Sequence, residues 1–239
     1  METALIVAIV AGAVAIVSAV FTGLNARGIE EMKAKLAAER EADDRATQVA
    51  IYSAPLAQAA FDLQSRLYNF LRQDLAGVYL KRGDVRTRSY VVEKTAFLIA
   101  QFFCWSELTR QEIHFIEMPS PGETRELLRL QDRFHSEWGT DRYPPAFRIF
   151  AGEQRAVGEA LIVGQAEFTT CMGYGAFLQT FPSGKNQFID ALRADVESLE
   201  TDLNTARPRL TQIQHTLIDI LALMDPDGLR FASDSRSKA

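Results

Sequence analysis

Three histidines, two cysteines and one short run of carboxylates and a guanidinium are where this 239-residue chain could do chemistry. The histidines are His114, His135 and His215. A di-iron helical bundle needs Glu-x-x-His on two helices plus two more carboxylates. Gln111 and Gln212 stand three residues before His114 and His215, so only Asp132-x-x-His135 keeps a carboxylate at that spacing. His135-Ser-Glu137 matches the first half of the zinc deaminase pattern, but the Pro-Cys-x-x-Cys half is missing. His-Glu-x-x-His is absent. The histidines therefore read as structural, and no metal or other cofactor is expected. Pro182-Ser-Gly-Lys185 lacks the first Gly and the hydroxyl of a phosphate loop. Gly173-Tyr-Gly175 has no strand before it, and no Gly-x-Ser-x-Gly elbow occurs. No catalytic residue is named, and an enzyme is the less favoured reading.

One polar constellation stands out: Gly152-Glu153-Gln154-Arg155-Ala156-Val157-Gly158-Glu159. Arg155 and Glu159 share a helix face at i,i+4, with Glu153 beside them. Such a group could hold a ligand or a partner's charge. The plainer reading is a surface pair worth a few tenths of a kcal/mol. Glu93 and Gln101 sit inside an apolar helix and read as interhelical hydrogen-bonding groups. Cys104 and Cys171 lie in apolar runs and read as buried, reduced thiols, with a single bridge left open.

The elements that must carry these residues follow from apolar spacing. Ala4 to Leu24 contains no ionisable side chain. As a helix it is roughly 30 Å long, the thickness of a bilayer core, which predicts a transmembrane anchor over residues 1–24. Arg27, Lys33, Lys35 and Arg40 follow it and none precedes it, so the rule that basic flanks stay inside predicts an inner-membrane, single-pass protein with its N-terminus outside. The lipid bilayer is thus the first expected partner. Ala11, Ala15, Ala19 and Gly23 form a small-residue row that would let two spans approach. Residues 25–53 are Ala-rich and charged, with one thin stripe of Ile29, Met32 and Leu36: a helical stalk.

The rest reads as an all-α cytoplasmic domain, residues 54–224, with a polar, loose tail at 225–239. Leu56, Ala60, Leu63, Leu67, Phe70, Leu71, Leu75 and Val78 predict a helix ending near Leu80. The basic turn Lys81–Arg88 is a solvated loop or a contact for anionic lipid. Residues 89–118 form the central buried helix, stopped by Pro119 and Pro121. A shorter helix covers Glu123–Trp138. Residues 147–181 read as helical, and Gly158, Gly164, Gly173 and Gly175 mark close helix contacts or breaks. The clearest pattern comes last. Ile189, Leu192, Val196, Leu199, Leu203, Ala206, Leu210, Ile213, Leu217, Ile220 and Met224 alternate steps of three and four, a coiled-coil seam that packs within the chain or against another. Pro208 lies off the seam, yet inside a continuous helix it costs about 3 kcal/mol. A kink or break near Ala206 is expected.

Three phrases, Ala59–Asn69, Ala100–Glu107 and Gly152–Glu159, resemble a group of bacterial single-pass membrane proteins with a charged stalk and a helical cytoplasmic region. The resemblance implies that architecture and no activity. A net charge of −5 argues against nucleic acid as a partner. The sequence therefore predicts a membrane-anchored helical interaction protein, a scaffold, adaptor or sensor that assembles with itself or with another helical protein. The rival is an enzyme or ligand-binding helical domain with its pocket near Trp105, Glu153 and Arg155. A filled core with an exposed seam would favour the first. A deep polar pocket at those residues would favour the second.

Overall fold

The computed structural model describes residues 12, 29–30, 32–40, 52–111, 121–165, 168–232 and 235–239. The chain divides into two units, Met1–Thr47 and Gln48–Ala239. In the first, residues 29–30 and 32–40 are helical and exposed, with Ile29, Met32 and Leu36 open to solvent. The expected span and its small-residue row Ala11, Ala15, Ala19 and Gly23 lie outside the described residues; Gly12 alone is described. Among the described residues no helix is long and apolar enough to cross a membrane. That finding overturns the single-pass, inner-membrane placement, and the sidedness argued from it falls too. The helix Val85–Gln111 carries Arg86, Arg88, Glu93, Lys94, Glu107 and Arg110, and its apolar part from Val91 to Leu108 is buried against protein.

The second unit is built around one helix. α1 is helical over 52–72 and buries Leu56, Ala60, Leu63, Leu67 and Phe70. It stops about two turns earlier than its apolar spacing predicts, because Asp74 takes a left-handed φ of 54°. A π-helical turn, Ala76–Lys81, then continues the apolar face through Ala76 and Leu80. α2, Val85–Gln111, is the central helix and buries residues on all its faces from Val91 to Thr109. The basic turn is mostly helix α2 itself; Arg82 pairs with Asp74, and Arg88 with Glu200. α3 spans Pro121–Gly139 and α4 spans Ala151–Ala160. Residues 112–120, including His114, are outside the described set.

The region expected to be helical to residue 181 is interrupted. β1, Ile162–Gln165, and β2, Phe168–Cys171, form an antiparallel hairpin with Ile162 opposite Cys171. Gly164 sits at φ 134°, which side chains rarely adopt, and Thr169 and Thr170 favour extended backbone. The strands are too short for alternation to reveal them. α5, Tyr174–Thr180, places Phe177 against Phe97 of α2.

α6, Gln187–Met224, opens with Asn186 accepting hydrogen bonds from the Phe188 and Ile189 amides. The heptad seam faces inward within the chain: Ile189, Leu192, Val196, Leu199, Leu210, Ile213, Leu217 and Ile220 are buried, and Leu203 packs partly buried on the same core. The expected break at Pro208 does not occur, since α6 is continuous through it. The neighbouring arginines pin both sides of the proline. Arg207 donates to the Leu71 carbonyl, and Arg209 is wholly buried. Seam burial on either side, at about 1.5–3 kcal/mol per large side chain, outweighs the proline's cost.

The tail is docked, not loose. Phe231 stacks on Phe61 at 4.7 Å. Asp225 accepts from the Leu229 and Phe231 amides and pairs with Arg236. Buried Gln214 donates to the Ser237 carbonyl and accepts from the Ala239 amide. His215 Nε2 donates to the Ala239 carbonyl oxygen at 3.0 Å.

Candidate functional site

Three helices leave a cavity of about 440 Å³ between them. α2 supplies Phe103, Ser106, Glu107 and Arg110; α3 supplies Leu128, Gln131, Asp132 and His135; α4 supplies Ala151, Gln154 and Arg155. On α2 and on α3 the spacing is i, i+3, i+4, i+7, which is one face of a helix. The walls therefore follow from helix geometry alone. The core of α3 is the adjoining stripe of Leu127, Leu130, Phe134 and Trp138.

Gly158 brings α4 onto α2. A Cβ there would meet the Phe103 carbonyl oxygen at 2.8 Å and its carbon at 2.9 Å. The glycine marks a close helix contact, and the contact is to a residue of the cavity wall. The N-terminal end of α4 is set by the loop before it. Arg209 of α6 reaches into that loop and spends all five of its N–H donors on backbone carbonyls. Nη1 donates to Glu137 and Trp138, Nη2 to Thr140 and Pro144, and Nε to Ala146. Among the described residues no carboxylate pairs with it directly; the carbonyl end of α3 offsets its charge, with Glu137 acting from further away. Phe147 then takes a φ of 53°, costly for a bulky residue, and packs on Trp138 at 5.4 Å. The Phe150 amide donates to the Glu153 carboxylate at 2.8 Å, so Glu153 caps its own helix instead of facing the cavity.

Gln154 is buried and fixes His135. Its Nε2 donates to the carbonyls of His135 at 3.0 Å and Ile149 at 2.8 Å. Both amide hydrogens are thus engaged, and its Oε1, 2.6 Å from His135 Nδ1, must accept. Nδ1 is therefore the protonated ring nitrogen. Burial pushes the imidazole pKa below its ordinary value, against the smaller opposing effects of the Gln154 bond, Asp132 and Glu107, so the ring is neutral at pH 7. Its Nε2 carries a lone pair. Phe103 stacks on one side of this ring and Phe134 meets it edge-on.

The charges fall into two kinds. Glu107 is buried and paired with Arg110, whose Nε donates at 2.8 Å, and it also accepts from Gln111. The Arg110 bond, with help from Gln111, holds the Glu107 carboxyl below its usual pKa. Asp132 and Arg155 are exposed, and neither makes a direct hydrogen bond or ion pair among the described residues. Between these groups, Ser106 Oγ and Gln131 Nε2 are buried with no hydrogen-bond partner. A buried polar atom left unpaired costs about 1–3 kcal/mol.

Of the sequence candidates, Arg155 lines the cavity, while Glu153 and exposed Glu159 do not. Trp105 does not line it either. Glu93 accepts from Arg193 at 3.0 Å, an interhelical bond as read, but Gln101 Oε1 has no partner. Cys104 and Cys171 are free thiols, Cys104 buried and Cys171 half-buried. Among the described residues no group of His, Cys, Asp and Glu could hold a metal ion. His135, Gln131 and Ser106 were missed as site residues. The available signal was polar side chains at core-adjacent helical spacing, repeated on two successive helices. Comparison with family models, with curated proteins and with solved structures gives no match to this chain.

Proposed function

We propose that this chain is a helical ligand-binding domain, and that the α2–α3–α4 cavity takes up a small polar molecule. The observation that carries this reading is a cavity whose wall holds an aspartate and an arginine without a direct hydrogen bond or ion pair among the described residues, with the unpartnered Ser106 Oγ and Gln131 Nε2 buried just behind its surface. Buried polar groups are mostly paired, and a bound polar molecule is one way to satisfy those that are not. The inward-facing seam supports the same choice, since the apolar stripe that would have zipped to a partner is used within the chain. A catalytic role is the second reading, and the neutral His135 with its fixed tautomer is the observation that favours it.

A small-molecule library screened by thermal shift tests the proposal, with Ser106→Leu as the filled-cavity control. Hits that stabilise the native protein and lose their effect in the variant support it. Hits that stabilise both equally, or no hits at all, count against it. The variant's own far-UV spectrum and unfolding midpoint show that it remains folded.

A further inference from the structure

The cavity wall carries charges of both signs on different helices. Asp132 and His135 are three residues apart on α3, and each presents an acceptor: a carboxylate and an imidazole lone pair. Arg155 on α4 presents a free guanidinium. Glu107 and Arg110 are paired through their shared hydrogen bonds, and Glu107 acts on Arg155 and His135 only at a distance. What remains is one negative group, one neutral acceptor and one positive group, facing a space that Asp132 and Arg155 do not close by pairing with each other.

Building on the ligand-binding reading above, we infer that the cavity is made for a zwitterion, a free amino acid or a close amino-carboxylate. The ligand's ammonium points at Asp132 and His135 Nε2, and its carboxylate at Arg155. Ser106 Oγ and Gln131 Nε2 are unpartnered donors just behind the wall, and a small shift of their side chains brings them to an acceptor on the ligand's remaining portion. Phe103 and Leu128 cover its carbon skeleton. A simple anion would leave Asp132 and the lone pair of His135 facing nothing. A simple cation would leave Arg155 so. A dipolar molecule with ends a few ångströms apart satisfies both, and by covering these exposed groups it makes the loss of either matching end count against an analogue.

The groups that face His135 are Gln154 and Arg155 from α4, Glu107 from α2 and Asp132 from α3. Only the neutral ring accepts from an ammonium. Affinity is therefore retained at pH 7 to 8 and lost as acid protonates Nε2, below the ordinary histidine range, where the imidazolium repels the ligand's positive end.

Isothermal calorimetry with the twenty standard L-amino acids, each at millimolar concentration against the whole chain, tests this. For the tightest binder, the N-acetyl and the carboxamide derivatives are then measured. The expected result is at least about tenfold weaker binding for each derivative, with Asp132→Asn weakening the free amino acid but not its N-acetyl form, and Arg155→Met weakening the free acid but not its carboxamide. That pattern assigns each end of the ligand. Derivatives that bind as well as the parent overturn the inference. If no amino acid binds while neutral library compounds bind and compete for the cavity, the zwitterion inference fails and the ligand-binding reading stands. If nothing binds, both fail. Circular dichroism of each variant confirms that it is folded.

Discussion

Replacing Arg209 with Met keeps the unbranched stem and removes the five donors that hold the loop 140–146. Its guanidinium is fully buried among the carbonyls of Glu137, Trp138, Thr140, Pro144 and Ala146. Water can reach Thr140, Pro144 and Ala146, which are exposed or half-buried, so those carbonyls lose little. Glu137 and Trp138 lie where the Nη1 bonds are buried; the Trp138 carbonyl keeps the Ile149 amide, while the Glu137 carbonyl is orphaned at a cost of about 1–3 kcal/mol. Removing a desolvated cation returns part of that. With the lost Trp138 bond added, the net expectation is a loss of about 1–3 kcal/mol, a sizeable share of the roughly 5–15 kcal/mol available to a domain. Arg209→Lys does not rescue it, since three donors on a point charge cannot fork to five carbonyls. Urea unfolding at pH 7 measures the loss, and hydrogen exchange at the Ile149 amide, which donates to Trp138, reports whether the loop has opened. A change under 0.5 kcal/mol with unchanged exchange at that amide would refute the reasoning that Arg209 ties the loop, and through it α4, to the bundle.

Gly158→Ala should destabilise the fold by about 1–3 kcal/mol despite alanine's better helix propensity, because its methyl meets backbone that has no rotamer to yield; chemical denaturation measures it, and a stability gain would mean that α4 does not sit where described. Asp195 is pushed up to about 6 by burial, helped by the nearby charge of Glu153. Its folded pKa lies above the unfolded one, so its contribution is complete below about pH 4 and is lost as pH rises through about 6. The shift corresponds to at most about 3 kcal/mol, and to about 1 kcal/mol after discounting for its partial exposure. Asp195→Asn should add about 1 kcal/mol at pH 7.5 and flatten the stability profile between pH 4 and 6; a steeper profile would contradict the sign. Gln154→Glu should raise the His135 pKa above its ordinary value by placing a carboxylate at Nδ1. Proton NMR titration of the ring reads this directly, and an unchanged midpoint would mean that Gln154 does not face Nδ1.

Helices with a one-sided apolar stripe were legible in the residues. The seam from Ile189 to Ile220 gave α6 its buried face, and Leu127 to Trp138 gave α3 its own. What periodicity does not contain is the identity of the facing surface. The seam could have met another chain, and only the fold shows it turned onto α1, α2 and α3. Pro208 misled because the local cost of a missing amide is visible in sequence while the burial on both sides of it is not. The hairpin Ile162–Cys171 escaped because four-residue strands hold too few alternations to count. The apolar first two dozen residues suggested a bilayer, and none of the described helices answers to that expectation. Arg155 was picked for its neighbour Glu159, yet it lines the cavity without pairing to that residue. The partners that matter lie on α2 and α3: Ser106 and Gln131 hold the same i+3 place in the two wall stripes, and His135 the i+7 place on α3. Their meeting depends on Gly158, whose lack of a side chain was noticed but whose contact could not be assigned.

The side-chain amide of Gln131 offers the most direct test that the cavity is a binding site. Its Nε2 protons give an NMR signal that should sit at the position of an unbonded amide in the free protein. On saturation with a library hit or a free amino acid, that signal should shift downfield along with the His135 ring nitrogens. A ligand that binds while both stay where they were occupies some other surface, and the cavity is then no more than a gap between three helices.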